Sequence, residues 1–188
     1  MKRTALTGLA LASSLLLSCL LTAAQAAGKL TLTSTDIAPG GRIAEAQIFN
    51  GFGCTGPNTS PALAWSGVPD GTKSFVVTVY DPDAPTGSGF WHWVLYNIPA
   101  STTSLPQGAG MAGKEPAGAV QSSNDFGASG YGGPCPPPGS KPHRYVFTVF
   151  AIKTDKLGVP DHPTNAVIGF VTRASMLGQA SFTAKYGR

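Results

Sequence analysis

Ser74-Phe75-Val76-Val77-Thr78-Val79-Tyr80 is built almost wholly from β-branched and aromatic residues. Such side chains favour a pleated backbone, where they pack well on a sheet surface. Few polar residues interrupt the run, so both faces need cover and the strand belongs in the middle of a sheet. Arg144-Tyr145-Val146-Phe147-Thr148-Val149-Phe150-Ala151-Ile152 has the same character and the same expected place. Phe90-Trp91-His92-Trp93-Val94-Leu95-Tyr96-Asn97-Ile98 is the third strong strand. Simple alternation puts His92 on one face with Phe90 and Val94, and sends Trp91 and Trp93 to the other. These three strands make the chain mostly β.

Weaker elements surround them. Lys29–Thr35 alternates, with Leu30 and Leu32 facing inward, and reads as a half-buried strand. Pro39-Gly40-Gly41 and Pro69-Asp70-Gly71 are turns, and Ala44–Phe49 is expected as a further strand. Asn50–Pro61 reads as a long loop, followed by the short apolar run Ala62–Trp65. Ser101–Pro142 is weakly patterned and holds much of the Gly and Pro. A loop of that length is usually functional, and it is expected to drape over the sheet. Val167, Val171, Ala174 and Leu177 recur at helical spacing, with Thr164 or Asn165 to cap the start and Gly178 to end it. Ser181–Tyr186 is the last expected strand. No repeat and no Pro-rich linker divides the chain.

Composition excludes several classes. The chain has 188 residues, and only 12% are charged, about half the usual share. Gly and Pro are abundant, but seventeen aromatic residues lie among them, which argues against disorder. Residues 1–26 read as a secretory leader: Lys2 and Arg3, an apolar stretch from Leu6 to Leu21, then Ala24-Gln25-Ala26 as a small-x-small cleavage site. The apolar stretch is shorter than the roughly 20 residues a membrane span needs. Lipidation at Cys19 is the alternative, but Leu20 and Leu21 continue the apolar segment where a polar tether is expected. Residues 27–188 are then a single exported domain, periplasmic or secreted, with no transmembrane segment. Without Lys2 and Arg3, eleven basic side chains face nine acidic ones. That balance is too weak for a nucleic-acid partner.

Export sets the reading of the two remaining cysteines. Cys54 and Cys135 lie in Gly-rich loops, and an oxidising compartment favours their pairing. Two separate thiols are the alternative, and two cysteines at this spacing make no zinc site.

The polar residues of interest cluster at strand ends. Asp81-Pro82-Asp83-Ala84-Pro85 follows the first strong strand, and either proline can be cis. Asp81 reads equally well as a site carboxylate and as a cap of its own turn. His143 precedes Arg144 and Tyr145, sharing a face with Tyr145 while Arg144 points away. His162 is given no role. No metal-ligand spacing, nucleophile elbow or phosphate loop is present, so no metal, cofactor or catalytic residue is assigned. An anion pocket fits the residue types better: histidines, a tyrosine hydroxyl and loop N–H groups donate, and an aspartate fixes a histidine tautomer.

Taken in order, Asp81-Pro82-Asp83-Ala84-Pro85, Trp91-His92-Trp93-Val94 and Asn97-Ile98-Pro99 resemble the first signature of the phosphatidylethanolamine-binding proteins, also called Raf kinase inhibitor protein-like. Pro136-Pro137-Pro138-Gly139 leading into His143-Arg144-Tyr145 is similar to the second. Cys54–Pro61 and Asn124-Asp125-Phe126-Gly127 resemble the bacterial branch. The resemblance implies a large central β-sheet flanked by a smaller one, with one or two short helices. It also implies a pocket for phosphate or a phosphoethanolamine-like headgroup, formed by Asp81, Pro85, His92, Pro136, Pro137, His143 and Tyr145. The short link Thr86–Trp91 and the lack of a long C-terminal helix imply a rim unlike that of animal members. Kinase inhibition does not carry over to an exported protein.

The expected function is therefore a binding protein for a small anionic or phosphorylated ligand that modulates a protein partner. The alternatives are a hydrolase with a His/Asp acid–base pair, and a secreted protease inhibitor or interaction protein acting through its loops.

Overall fold

A computed structural model describes residues 28–188, so the expected leader and Cys19 lie outside the described residues. Among the described residues ten strands and one α-helix follow in order: β1 Thr31–Thr33, β2 Asn50–Gly51, β3 Cys54–Thr55, β4 Leu63–Ser66, β5 Ser74–Asp81, β6 Phe90–Pro99, β7 Ser104–Leu105, β8 Val120–Gln121, β9 His143–Ile152, α1 Asn165–Ser175 and β10 Met176–Tyr186. The large sheet is antiparallel in the order β10-β9-β5-β6-β8. The apolar strands β5 and β9 do sit centrally, for the reason their composition gives.

Both faces of that sheet are covered. The smaller sheet, β1-β4-β7, lies over one face, where Leu32, Leu63 and Trp65 share a core with Phe75, Val77 and Phe147. On the opposite face, Ile168 of α1 and Leu157 share a second core with Val76, Val94 and Phe150. Burying one such side chain contributes roughly 1.5–3 kcal/mol, which rewards a strand that is apolar on both sides.

Four expectations need correction. Ala44–Phe49 is not a strand but carries a 3₁₀ turn at Glu45–Gln47. Ile43 and Ile48 are both buried, and residues five apart on a strand would face opposite ways; the turn brings both inward. The Asn50–Pro61 loop contains the short hairpin β2–β3. The long segment 101–142 is not structureless: β7 pairs with β4 and β8 pairs with β6. Helix α1 is capped by Thr164, whose Oγ1 accepts from Val167 N at 3.3 Å, but it buries Asn165, Ile168 and Thr172 rather than the Val167 stripe. Thr172 is 1% exposed, so the inward face runs through a residue that reads as polar. The helix stops at Ser175 because Met176 already pairs with Ile152, so Leu177 and Gly178 belong to β10. Among the described residues no helix is long and apolar enough to cross a membrane.

Candidate functional site

Asp81 ends β5 and performs both of the jobs its sequence suggested. Its Oδ1 accepts from Asp83 N at 2.8 Å, closing the Asp-Pro-Asp turn. Its Oδ2 accepts from His143 Nδ1–H at 2.7 Å. The carboxyl is 2% exposed, so one buried group sets both a turn and a ring orientation. Pro82 and Pro85 are trans.

His92 reaches the same place through a β-bulge. Along β5 and β6 the register passes from Val79↔Trp93 to Tyr80↔Trp91, which leaves His92 as the extra residue. Simple alternation therefore fails after His92. Phe90 and His92 face the cavity and Trp91 faces away, as expected. Trp93, however, joins the core shared with the smaller sheet, and Val94 belongs to the opposite face. His92 Nδ1–H donates to Gly132 O at 2.7 Å, and Gly132 N donates back to His92 O at 2.8 Å. Burial lowers the His92 pKa from its ordinary 6.5, offset in part by the Gly132 and Gly133 carbonyls and by Asp81 and Asp125.

The two bonds fix both tautomers. Each ring commits its Nδ1–H to a protein acceptor, so in the neutral ring Nε2 carries a lone pair. The expected donor role of the histidines is thus available only to an imidazolium. Tyr145 sits edge-on to His92, with ring centroids 5.1 Å apart. Its hydroxyl is buried with no hydrogen-bond partner, and burial, with the nearby Asp81 charge, raises its pKa so that it stays a phenol.

Arg144 alternates outward and forks Asp83, with Nε–Oδ2 at 2.9 Å and Nη2–Oδ1 at 2.7 Å; Arg144 N also donates to Oδ2 at 2.8 Å. The hydrogen bond from the Arg144 side chain is the main reason that the Asp83 pKa falls from 3.8 to about 2. A depressed carboxyl pKa stabilises the fold fully above about 3.8 and loses that contribution as pH falls through about 2. Arg144→Gln is expected to lower stability modestly at pH 6, because the pair is partly exposed, and to change almost nothing below pH 2, measured by denaturant unfolding.

Loops complete the walls. Gly133 passes so close to the Gln47 carbonyl and Phe49 N that a Cβ has no room, and its N–H donates to Asn58 Oδ1 at 2.7 Å. The Cys54–Cys135 disulfide is present, with the Cα atoms 6.0 Å apart, and joins the β2–β3 hairpin to the Pro136-Pro137 rim. Arg188 fastens the same two rims, donating to Pro136 O at 2.7 Å and Gly53 O at 2.9 Å. Buried Asn124 accepts from Phe126 N and Ala128 N, holding the loop that presents Asp125 and Phe126.

Between these walls lies a cavity of about 230 Å³. Asp81, Pro85, His92, Pro136, Pro137, His143 and Tyr145 all line it. Sequence reasoning missed Phe52, Asp125 and Phe126 as wall residues. Phe126 stacks on Phe49 at 3.9 Å and meets Phe90 edge-on at 4.6 Å, giving the mouth an aromatic side. The Asn124-Asp125-Phe126-Gly127 stretch carried a turn signal that could have found this loop, but nothing local says which wall it meets. The lining holds two carboxylates, two histidines and no Lys or Arg. Among the described residues no group of three His, Cys, Asp or Glu side chains is placed to hold a metal ion.

Residues 33–187 match the family model described as phosphatidylethanolamine-binding protein. The Escherichia coli K12 UPF0098 protein YbcL is 53% identical over 165 residues, spanning 87% of this chain and 90% of its own length. YbhB of the same organism is 48% identical over 158 residues, spanning 84% of this chain and 99% of its own. The crystal structure of YbcL, described as a new member of the mammalian PEBP family, aligns with a TM-score of 0.83 at 52% identity over 86% of this chain and 99% of that one. A Chlamydia trachomatis homologue of phosphatidylethanolamine-binding proteins aligns at 0.71 and 29% identity, over 86% and 99% of the two chains.

Proposed function

The chain belongs to the phosphatidylethanolamine-binding protein family, and we propose that it is an exported binding protein whose pocket takes a small anionic or phosphorylated group. Phosphate and phosphoethanolamine-like headgroups are the ligands of that class, and occupancy modulates a protein partner. The leader pattern at 1–26 supports export. The observation that carries the pocket reading is the convergence of His92, His143 and Tyr145 on one cavity, each histidine already fixed through Nδ1 and the buried Tyr145 hydroxyl without a partner. Fixed rings lose little entropy when an anion arrives, which is the benefit of a prepared site. The cavity is larger than a bare phosphate needs, so the ligand carries a substituent against the Phe126 wall.

Calorimetric titration of residues 27–188 with phosphate, phosphoserine and phosphoethanolamine tests this. Binding is expected in the parent and is expected to fall at least about tenfold in His92→Ala/His143→Ala, since each charged hydrogen bond is worth roughly 1.5–3 kcal/mol. Unchanged affinity in a folded variant would remove the pocket from consideration.

The 2.7 Å contact between His143 and Asp81 also favours a second reading, a hydrolase in which His143 is the base and Asp81 orients it. Turnover of phosphoesters that His143→Ala abolishes would select that reading instead.

A further inference from the structure

A second groove, of about 540 Å³, adjoins the pocket, and Pro85, Pro137 and His143 line both. Its outer wall carries Lys141, Arg144 and Lys185, with Asp83 as the one carboxylate. The charges are not balanced. Asp83 is taken up in the fork with Arg144, and the ion pairs among the described residues include neither Lys141 nor Lys185. Lys185 also stands directly across the β9–β10 ladder from Arg144. The Asp83 fork offsets the Arg144 charge, so Lys141 and Lys185 are left as the uncompensated positive charges of this groove. The pocket itself has no Lys or Arg. Permanent positive charge therefore sits beside the pocket rather than in it.

We infer that this groove is a second subsite, and that the preferred ligand is a phosphate ester carrying another anionic group, which Lys141 and Lys185 receive while the phosphate occupies the pocket. The inference rests on the pocket reading and narrows it. A zwitterionic headgroup brings an ammonium towards two unpaired lysines and is disfavoured. A phosphate ester ending in a carboxylate is favoured, whether it is a small metabolite or an acidic phosphopeptide.

The test uses alkyl phosphates with spacers of two, four and six carbons, ending either in a carboxylate or in an ammonium. Inorganic phosphate is titrated alongside. For at least one spacer the carboxylate is expected to bind about five- to tenfold more tightly than the ammonium at low salt, two exposed ion pairs being worth about that much. The difference is expected to shrink as salt screens it. In Lys141→Gln/Lys185→Gln it is expected to disappear while the affinity for inorganic phosphate stays unchanged. A phosphoserine-glutamate dipeptide beside the best alkyl compound separates the peptide source from the metabolite source. Equal affinities across the series, or a difference that persists in the variant, would overturn the subsite and leave the pocket standing. Failure of inorganic phosphate to bind the parent protein would overturn the pocket and the subsite with it.

Discussion

Sulfate that engages His92 in the pocket is expected to lose up to about tenfold in affinity per pH unit once the pH rises above the pKa of that ring, which burial holds below the ordinary 6.5. The reason is geometric. His92 Nδ1–H is committed to the Gly132 carbonyl and His143 Nδ1–H to Asp81. A neutral ring then offers an anion only a lone pair, which repels it. To donate, a ring must carry a second proton on Nε2, so at His92, where burial disfavours the charged ring, anion and proton bind together. Sulfate does not titrate in this range, so any proton taken up belongs to the protein. Isothermal titration in buffers of different ionisation enthalpy counts those protons directly. His92→Gln is expected to remove one of them and flatten the pH profile accordingly. A flat profile in the parent protein, with tight binding, would mean that the Tyr145 hydroxyl and loop N–H groups hold the anion alone.

The same histidine couples pH to stability, with a sign that can be checked. Burial lowers the folded-state pKa of His92 below the 6.5 of an unfolded chain. The unfolded state therefore binds the proton first. The contribution of neutral His92 is complete above about pH 6.5 and declines as pH drops below it, by up to about 1.4 kcal/mol per pH unit, until the folded form also protonates. Saturating sulfate is expected to oppose that decline, because it stabilises the protonated folded form.

Removing the disulfide is expected to cost about 3–4.5 kcal/mol. Cys54 and Cys135 are 81 residues apart, and a loop of that size restricts the unfolded chain strongly. Cys54→Ala/Cys135→Ala should then melt about 10 °C lower than the oxidised parent, on the usual scaling for a domain of this length. The pocket should survive in the folded variant. Arg188 still joins Pro136 to Gly53, and Gly132 still clasps His92 from both sides. Calorimetric melting together with a phosphate titration separates these two effects. A melting shift below about 2 °C would show that the loops are held by their hydrogen bonds and that the covalent link adds little.

Much of the fold was legible because β5 and β9 carry it. Their apolar runs state that both faces are covered, and that alone makes them central. The site was legible in part at the strand ends: parity puts His143 and Tyr145 on one face and the strand end marks Asp81, while the family resemblance joined them in one pocket. Three things were not. The burial of Thr172 depends on which way α1 is rolled onto the sheet, and the Val167 stripe gives the wrong answer. The 3₁₀ turn at Glu45–Gln47 is decided by the need to bury both Ile43 and Ile48, a tertiary demand. Phe52, Phe126 and Arg188 come to the pocket from loops and from the chain end, through contacts 50 to 130 residues or more away in sequence, as in Arg188 with Gly53 at a separation of 135. No local pattern encodes such a meeting.

One strand, β6, behaves as a ruler with two slips. The first is at His92, where the register gains a residue. The second lies between Leu95 and Ile98, where Asn97 adopts a φ of 58° and β6 again has one residue more than β5. The slips cancel. Even-numbered residues point towards the cavity and its core at Phe90 and His92, odd-numbered ones do so at Trp93 and Leu95, and even-numbered again at Ile98. The site end and the far end of the strand are therefore in phase, and only the stretch between them is inverted. Straightening β6 at the first slip without removing a residue would turn Trp93 and Leu95 outward and Val94 and Tyr96 inward. Deleting the extra residue at a slip instead leaves the flanking pairs Tyr80↔Trp91 and Val79↔Trp93 in place, so the cost of removing His92 falls on the cavity and not on the packing of the strand.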